Sequence, residues 1–168
     1  MICYNLGHPS FANQFLIKIY LFSYPCSDLS KNELNSVNTK SFQQLKSLSK
    51  LDLSHNLLES VFTISNNDLK NLEALNLNSN NIKEISNKAF QNVPKLITLN
   101  LNQNKITGIS PSGFDGIGNL QNLTMSTNKL SSIEMSSLEP LKNLVKFHLD
   151  SNKLKELPAV STLCISFL

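Results

Sequence analysis

The chain has 168 residues, of which 29 are Leu and 23 are Asn. That much Leu excludes an intrinsically disordered chain, and the length suits one domain with a sizeable core. A net charge of +3 with 16% charged residues and no Trp leaves no strong basic stripe, so nucleic acid is not expected as a partner.

Residues 1–23 carry no repeat and read as a separate N-terminal segment. Within it, residues 15–22 (FLIKIYLF) form a dense apolar run interrupted by Lys18. Eight residues fall well short of the roughly 20 needed to cross a bilayer. No basic residue precedes the run and no small-x-small cleavage site follows it, so it makes a poor signal peptide. Any membrane attachment is expected to come from segments outside this chain. The three cysteines, Cys3, Cys26 and Cys164, are too few and too widely spaced for a zinc site or a disulfide framework. They read as unpaired thiols or as cysteines with partners elsewhere; a Cys3–Cys26 bond stays open.

From residue 24 to 159 one period of 24 residues runs through the sequence. A degenerate first copy ends in Asp28–Leu34, which aligns with Asp52–Leu58. Five full copies of Leu-x-x-Leu-x-Leu-x-x-Asn-x-Leu (or a close apolar substitute) follow, opening at Leu48, Leu72, Leu96, Leu120 and Leu144. Inside each copy the Leu-x-Leu alternation has period two, which predicts a short strand with both apolar side chains on one face. The Asn that follows (Asn56, Asn80, Asn104, Asn128, Asn152) is expected to turn a corner by hydrogen-bonding backbone groups, and stacked copies would align these residues in a ladder. Three further apolar slots recur behind the Asn. One holds Val37, Val61, Ile85, Ile109, Ile133 and Leu157; the next holds Phe42, Phe90, Phe114 and Leu138, with Asn66 as the exception. The third holds Leu45, Leu69, Val93, Ile117 and Leu141. Pro111, Gly113 and Gly116 argue against a regular α-helix in that return, and irregular or 3₁₀ segments are expected instead. Residues 160–168 (VSTLCISFL) leave the repeat and form a tail; the chain reads as a fragment.

The outward positions of the predicted strands form the candidate binding surface. They include Lys50, Asp52, Ser54 and His55, then Asn76 and Asn78, Asn100 and Asn102, Thr124 and Ser126, and finally Lys146, His148 and Asp150. This surface is rich in amides and hydroxyls and suits a hydrophilic ligand or a glycan-bearing protein. His55 and His148 each have an Asp nearby, yet four strand spacings, about 19 Å, would separate them. A nucleophile needs its base within hydrogen-bond reach, so no catalytic residues, metal site or cofactor are expected. Asn122-Leu123-Thr124 is the single N-glycosylation sequon. A glycan there would shield the middle of the candidate surface.

The repeated frame resembles the leucine-rich repeat family over roughly residues 28–157. The resemblance implies an α/β solenoid with a short parallel sheet on its concave face. The 24-residue unit with Phe42, Phe90 and Phe114 at its nineteenth place is similar to the typical animal extracellular subclass, found in Toll-like receptors, matrix proteoglycans and adhesion receptors. That subclass implies a glycoprotein module of an extracellular or cell-surface receptor, binding a protein or pathogen-derived ligand or a co-receptor. The cysteine-rich caps usual in such proteins are not evident on either flank. The alternative is an intracellular scaffold or regulatory subunit in signalling, in the cytoplasm.

Overall fold

A computed structural model describes residues 25–37, 42, 45–61 and 69–156, and the backbone of residues 4–5 and 164–166. Residues 15–22, Cys3, Asn66 and Leu157 lie outside the described residues. Among the described residues, ten short strands and one helical turn occur in chain order. They are β1 (Tyr4–Asn5), β2 (Cys26–Asp28), β3 (Lys50–Asp52), β4 (Ala74–Asn76), β5 (Glu84–Ile85), β6 (Thr98–Asn100), β7 (Gly108–Ile109), β8 (Asn122–Thr124), α1 (Met135–Leu138), β9 (Lys146–His148) and β10 (Cys164–Ser166).

Eight strands form one parallel sheet in the order β1-β2-β3-β4-β6-β8-β9-β10. From β2 to β9 each pairing is offset by one repeat, so Ser27, Leu51, Leu75, Leu99, Leu123 and Phe147 stand side by side in register. The period of 24 therefore becomes the rise of one coil, and the architecture is a parallel-sheet solenoid with little helix. The flanking strands depart from this offset. β1 pairs Tyr4 with Ser27, and β10 pairs Cys164 with Lys146.

The strand leucines point into a single core. Leu53, Leu77, Leu101, Met125 and Leu149 are buried together with Leu48, Leu72, Leu96 and Leu120 of the return path. The return is built from paired i→i−3 bonds. Phe42 O accepts from Leu45 N–H and Leu45 O from Leu48 N–H. The same pair recurs at Phe90–Val93–Leu96, Phe114–Ile117–Leu120 and Leu138–Leu141–Leu144. At three residues per turn, every third side chain eclipses the last. That is why the apolar slots fall three apart and all face inward. Phe90 and Phe114 stack with their rings 6.0 Å apart and 14° from parallel. A second, two-stranded sheet joins β5 to β7 on the return side. Among the described residues, no helix is long and apolar enough to cross a membrane.

Each strand ends at a sharp corner. Lys31, His55, Ser79, Gln103, Thr127 and Ser151 all have φ between 53° and 57°, a left-handed conformation uncommon outside Gly. The next residue is the repeat Asn. Asn104 donates to Leu77 O at 2.9 Å and to Leu101 O and Asn102 O at 3.1 Å, and its Oδ1 accepts from Ile82 N–H at 3.0 Å. Asn56, Asn80, Asn128 and Asn152 repeat this pattern. The ladder reaches one coil further than the five full copies, because Asn32 also donates to Leu29 O and Ser30 O.

The expectation of unpaired thiols is corrected at Cys26, which is buried and disulfide-bonded. Three cysteines spread over the sequence give no spacing from which one such bond could be read. Cys164 sits on β10, six strand spacings from β2.

Candidate functional site: the outward face of the sheet

Two side-chain rows run across the outward face of the main sheet. Lys50, Ala74, Thr98, Asn122 and Lys146 share one register, and Asp28, Asp52, Asn76, Asn100, Thr124 and His148 share the next. Both rows follow from strand alternation, which sends every second side chain away from the core.

Much of the second row is committed to the fold. Asp28, Asp52, Asn76 and Asn100 each accept, through Oδ1, the backbone N–H two residues on, capping the strand end before the corner. Neighbouring coils are then tied side chain to side chain. Asn76 Nδ2 donates to Asp52 Oδ2 at 2.9 Å, and Thr124 Oγ1 donates to Asn100 Oδ1 at 2.9 Å. Ser126 is buried, with its hydroxyl donated to Asp150 Oδ1 at 2.6 Å and its N–H to Asn102 Oδ1 at 2.8 Å. Ser54 is buried as well. Asp52 thus has both oxygens engaged, while Lys50, Lys146 and His55 project into solvent. Asn78 Nδ2 donates to Ser79 Oγ, whose hydroxyl donates to Gln103 Oε1.

An open cavity of about 350 Å³ lies over β2, β3, β4 and β6. Ala74, the smallest member of its row, lines it between Lys50 and Thr98. Asp28, Asp52, Asn76 and Asn100 line one side. Sequence alternation reveals which residues face outward, but this hollow depends on which one is small.

His55 follows β3 and His148 lies in β9, four strand spacings or about 19 Å apart, so the two share no site. No group of three His, Cys, Asp or Glu among the described residues is placed to hold a metal ion. Asn122 sits on β8, half-buried, with Thr124 of its sequon on the same face. Beside the sheet, Lys83 Nζ contacts Glu59 Oε2 at 2.7 Å. That hydrogen bond and the charge of Lys83, with a smaller effect from Lys105, hold the Glu59 carboxyl below its ordinary range.

The sequence profile of the leucine rich repeat family matches residues 28–58, 70–130 and 94–154. The chain belongs to the leucine-rich repeat family. Comparison with curated protein sequences gives no match. Among solved structures, a complex of TLR13 with single-stranded RNA superposes with a TM-score of 0.77 at 28% identity, covering 82% of this chain and 20% of that one. A leucine-rich repeat protein of Leptospira interrogans gives a TM-score of 0.58 at 30% identity, covering 73% of this chain and 30% of that one. The FLRT2 repeats in an octameric complex with Latrophilin 3 and Unc5D give 0.71 at 22% identity, covering 83% and 46%, a likeness of fold. The leucine-rich repeat chain described here therefore spans a fifth to about half of these proteins.

One sequence expectation is overturned by this comparison. A similar repeat structure is a complex with single-stranded RNA, so the exclusion of nucleic acid as a partner does not hold. Net charge sums over every face of a solenoid, whereas phosphate contacts need only a local set of cations.

Proposed function

We propose that this leucine-rich repeat chain is a recognition module of an extracellular or cell-surface receptor, Toll-like in its repeats, that binds a protein ligand through the outward face of its sheet. The observation that carries this is the cavity of about 350 Å³ over β2 to β6, open to solvent and walled mainly by apolar atoms, with Asp28, Asp52, Asn76 and Asn100 among its lining residues. A mainly apolar concavity with a few polar groups at its edge suits a side chain of a protein ligand. Two features favour an oxidising compartment: the disulfide at Cys26 and the sequon at Asn122. A glycan on β8 would leave the cavity over β2 to β6 uncovered, directing the ligand to the N-terminal half of the sheet.

The test is site-specific photo-crosslinking of the full chain, secreted from animal cells. Benzoylphenylalanine replaces Ala74 or Thr98 on the sheet, or Asn87 on the return side. Adducts to a defined secreted or surface protein from the sheet positions alone are the expected result. Equal adducts from Asn87 would refute a sheet-face site, and an Asn122 that carries no glycan would remove one support for secretion.

Nucleic acid is a second ligand class, favoured by the RNA complex of TLR13 at 28% identity.

A further inference from the structure

On the flank just past the corner, the residue after each ladder Asn forms a row of its own: Glu33, Leu57, Asn81, Lys105, Lys129 and Lys153. Backbone bonds fix that row from coil to coil. Lys105 N–H donates to Ile82 O at 2.9 Å, Lys129 N–H to Ile106 O at 2.9 Å and Lys153 N–H to Leu130 O at 2.8 Å. Three exposed ammonium groups therefore stand on rungs about 4.8 Å apart, spanning about 10 Å along the solenoid. The cationic row is confined to the last three full coils, since its earlier members are an acid, an apolar residue and an amide. Like charges this close repel, and neither packing nor hydrogen bonding in the fold requires lysine at positions whose side chains project into water. Among the described residues, the one ion pair on this flank is Lys83–Glu59, which leaves Lys105, Lys129 and Lys153 without a salt bridge. Glu59, which the charge of Lys105 reaches, is already paired with Lys83, and no acid of the last three coils forms a salt bridge with the row among the described residues. Asp150 is engaged by Ser126, and Glu134 and Glu156 lie five and three positions beyond Lys129 and Lys153.

We infer that Lys105, Lys129 and Lys153 form a phosphate-tracking row for a single-stranded nucleic acid, on the flank of the solenoid and separate from the cavity over β2 to β6. This rests on nucleic acid being a ligand class of the chain. A linear row of point charges fits a linear polyanion better than a compact acidic patch. About 10 Å matches three to four phosphates at the roughly 3.4 Å rise of a stacked strand. The chemistry of base reading is missing from the flank. All fifteen Lys+Arg residues of the chain are lysine, so no guanidinium fork is available. The adjacent exposed row, Gln103, Thr127 and Ser151, offers amide and hydroxyl groups but no aromatic ring for stacking. Binding is therefore independent of sequence and dominated by counterion release.

The test is fluorescence anisotropy of a labelled 12-nucleotide oligouridine titrated with the full chain at several NaCl concentrations. Three phosphate contacts predict a slope of log K against log salt of about −2, hence about 20-fold weaker binding at 200 mM than at 50 mM. The triple variant Lys105→Gln/Lys129→Gln/Lys153→Gln loses this binding while keeping its circular dichroism melt. The corresponding triple Lys→Arg variant retains both affinity and slope. Lys129→Gln alone lowers the slope by about 0.7. Binding by the triple Gln variant with an unchanged slope would overturn the row, and so would loss on Asn76→Ala/Asn100→Ala instead, which would put the nucleic acid on the sheet. A wild-type chain that binds a sulfated oligosaccharide but no oligouridine at any salt would overturn the nucleic-acid ligand itself.

Discussion

Replacing Asn104 tests the corner ladder most directly, because its partners are all backbone groups in the buried interior. Asn104→Ala removes the acceptor for Ile82 N–H and the donor to Leu77 O and Leu101 O. Leu77 O and Leu101 O each keep a second donor, Asn80 Nδ2 and Asn128 Nδ2, so Ile82 N–H is the group left unsatisfied, at about 1–3 kcal/mol. Asn104→Ala is therefore expected to cost about 1–3 kcal/mol, a sizeable part of the 5–15 kcal/mol typical of a folded domain. Asn104→Asp is nearly isosteric and still accepts from Ile82 N–H, but it turns an acceptor toward three carbonyl oxygens. At neutral pH it is expected to cost at least as much as Asn104→Ala. Protonation restores one donor, and surrounding carbonyls raise the carboxyl's pKa in the folded state above its unfolded value. Such a group binds its proton more tightly when folded, so the deficit of Asn104→Asp shrinks as pH falls through the raised value. Urea unfolding followed by circular dichroism from pH 7 to pH 4, each variant against wild type, measures this. A cost below about 1 kcal/mol for Asn104→Ala, or a pH-independent deficit for Asn104→Asp, would refute the role assigned to the ladder.

Gly116 has φ +89°, and a Cβ there would lie 2.6 Å from Gln91 O and 2.7 Å from Gln91 Cα. Gly116→Ala is therefore expected to cost about 2–4 kcal/mol in the same assay, combining backbone strain with overpacking. Ser27 occupies the first place in the Leu spine, 1% exposed, with no partner for its hydroxyl among the described residues. Ser27→Ala should be neutral or stabilise by about 1 kcal/mol, and a loss of more than 1 kcal/mol would reveal a partner for that hydroxyl. Glu59 is held below its ordinary range by Lys83. The pair's contribution is thus present above the unfolded carboxylate value and lost as pH falls through the depressed one. In Lys83→Ala, an NMR titration should find the Glu59 carboxyl moved up, and an unmoved value would contradict the pairing.

Legibility in the sequence followed repetition. Leu51, Leu75, Leu99, Leu123 and Phe147 recur in one register, so strand, sheet order and core were readable from spacing alone. The ladder asparagines were readable for the same reason. Features that occur once, or whose residue types vary, were not. The left-handed corner is filled by Lys31, His55, Ser79, Gln103, Thr127 and Ser151, with no Gly or Asn to mark it. Tertiary bonding by the following Asn holds those residues where local preference would not. On the candidate face, alternation identified Asp52, Asn76, Asn100 and Ser126 as outward. It could not show that Asx turns and lateral bonds would engage their oxygens, because those partners sit 2 or 24 residues away in sequence and meet only after the coils stack.

The ladder bonds have a direction. From Asn56 to Asn152 each corner amide reaches back to backbone groups of the coil before it, and none reaches forward. During synthesis an emerging coil finds its acceptors and donors already in place on the chain made earlier, so docking can proceed from the amino end as residues leave the ribosome. Loss of structure by fraying would run the other way: the last coil leaves with its own Asn, and what it exposes is unmet backbone on its predecessor.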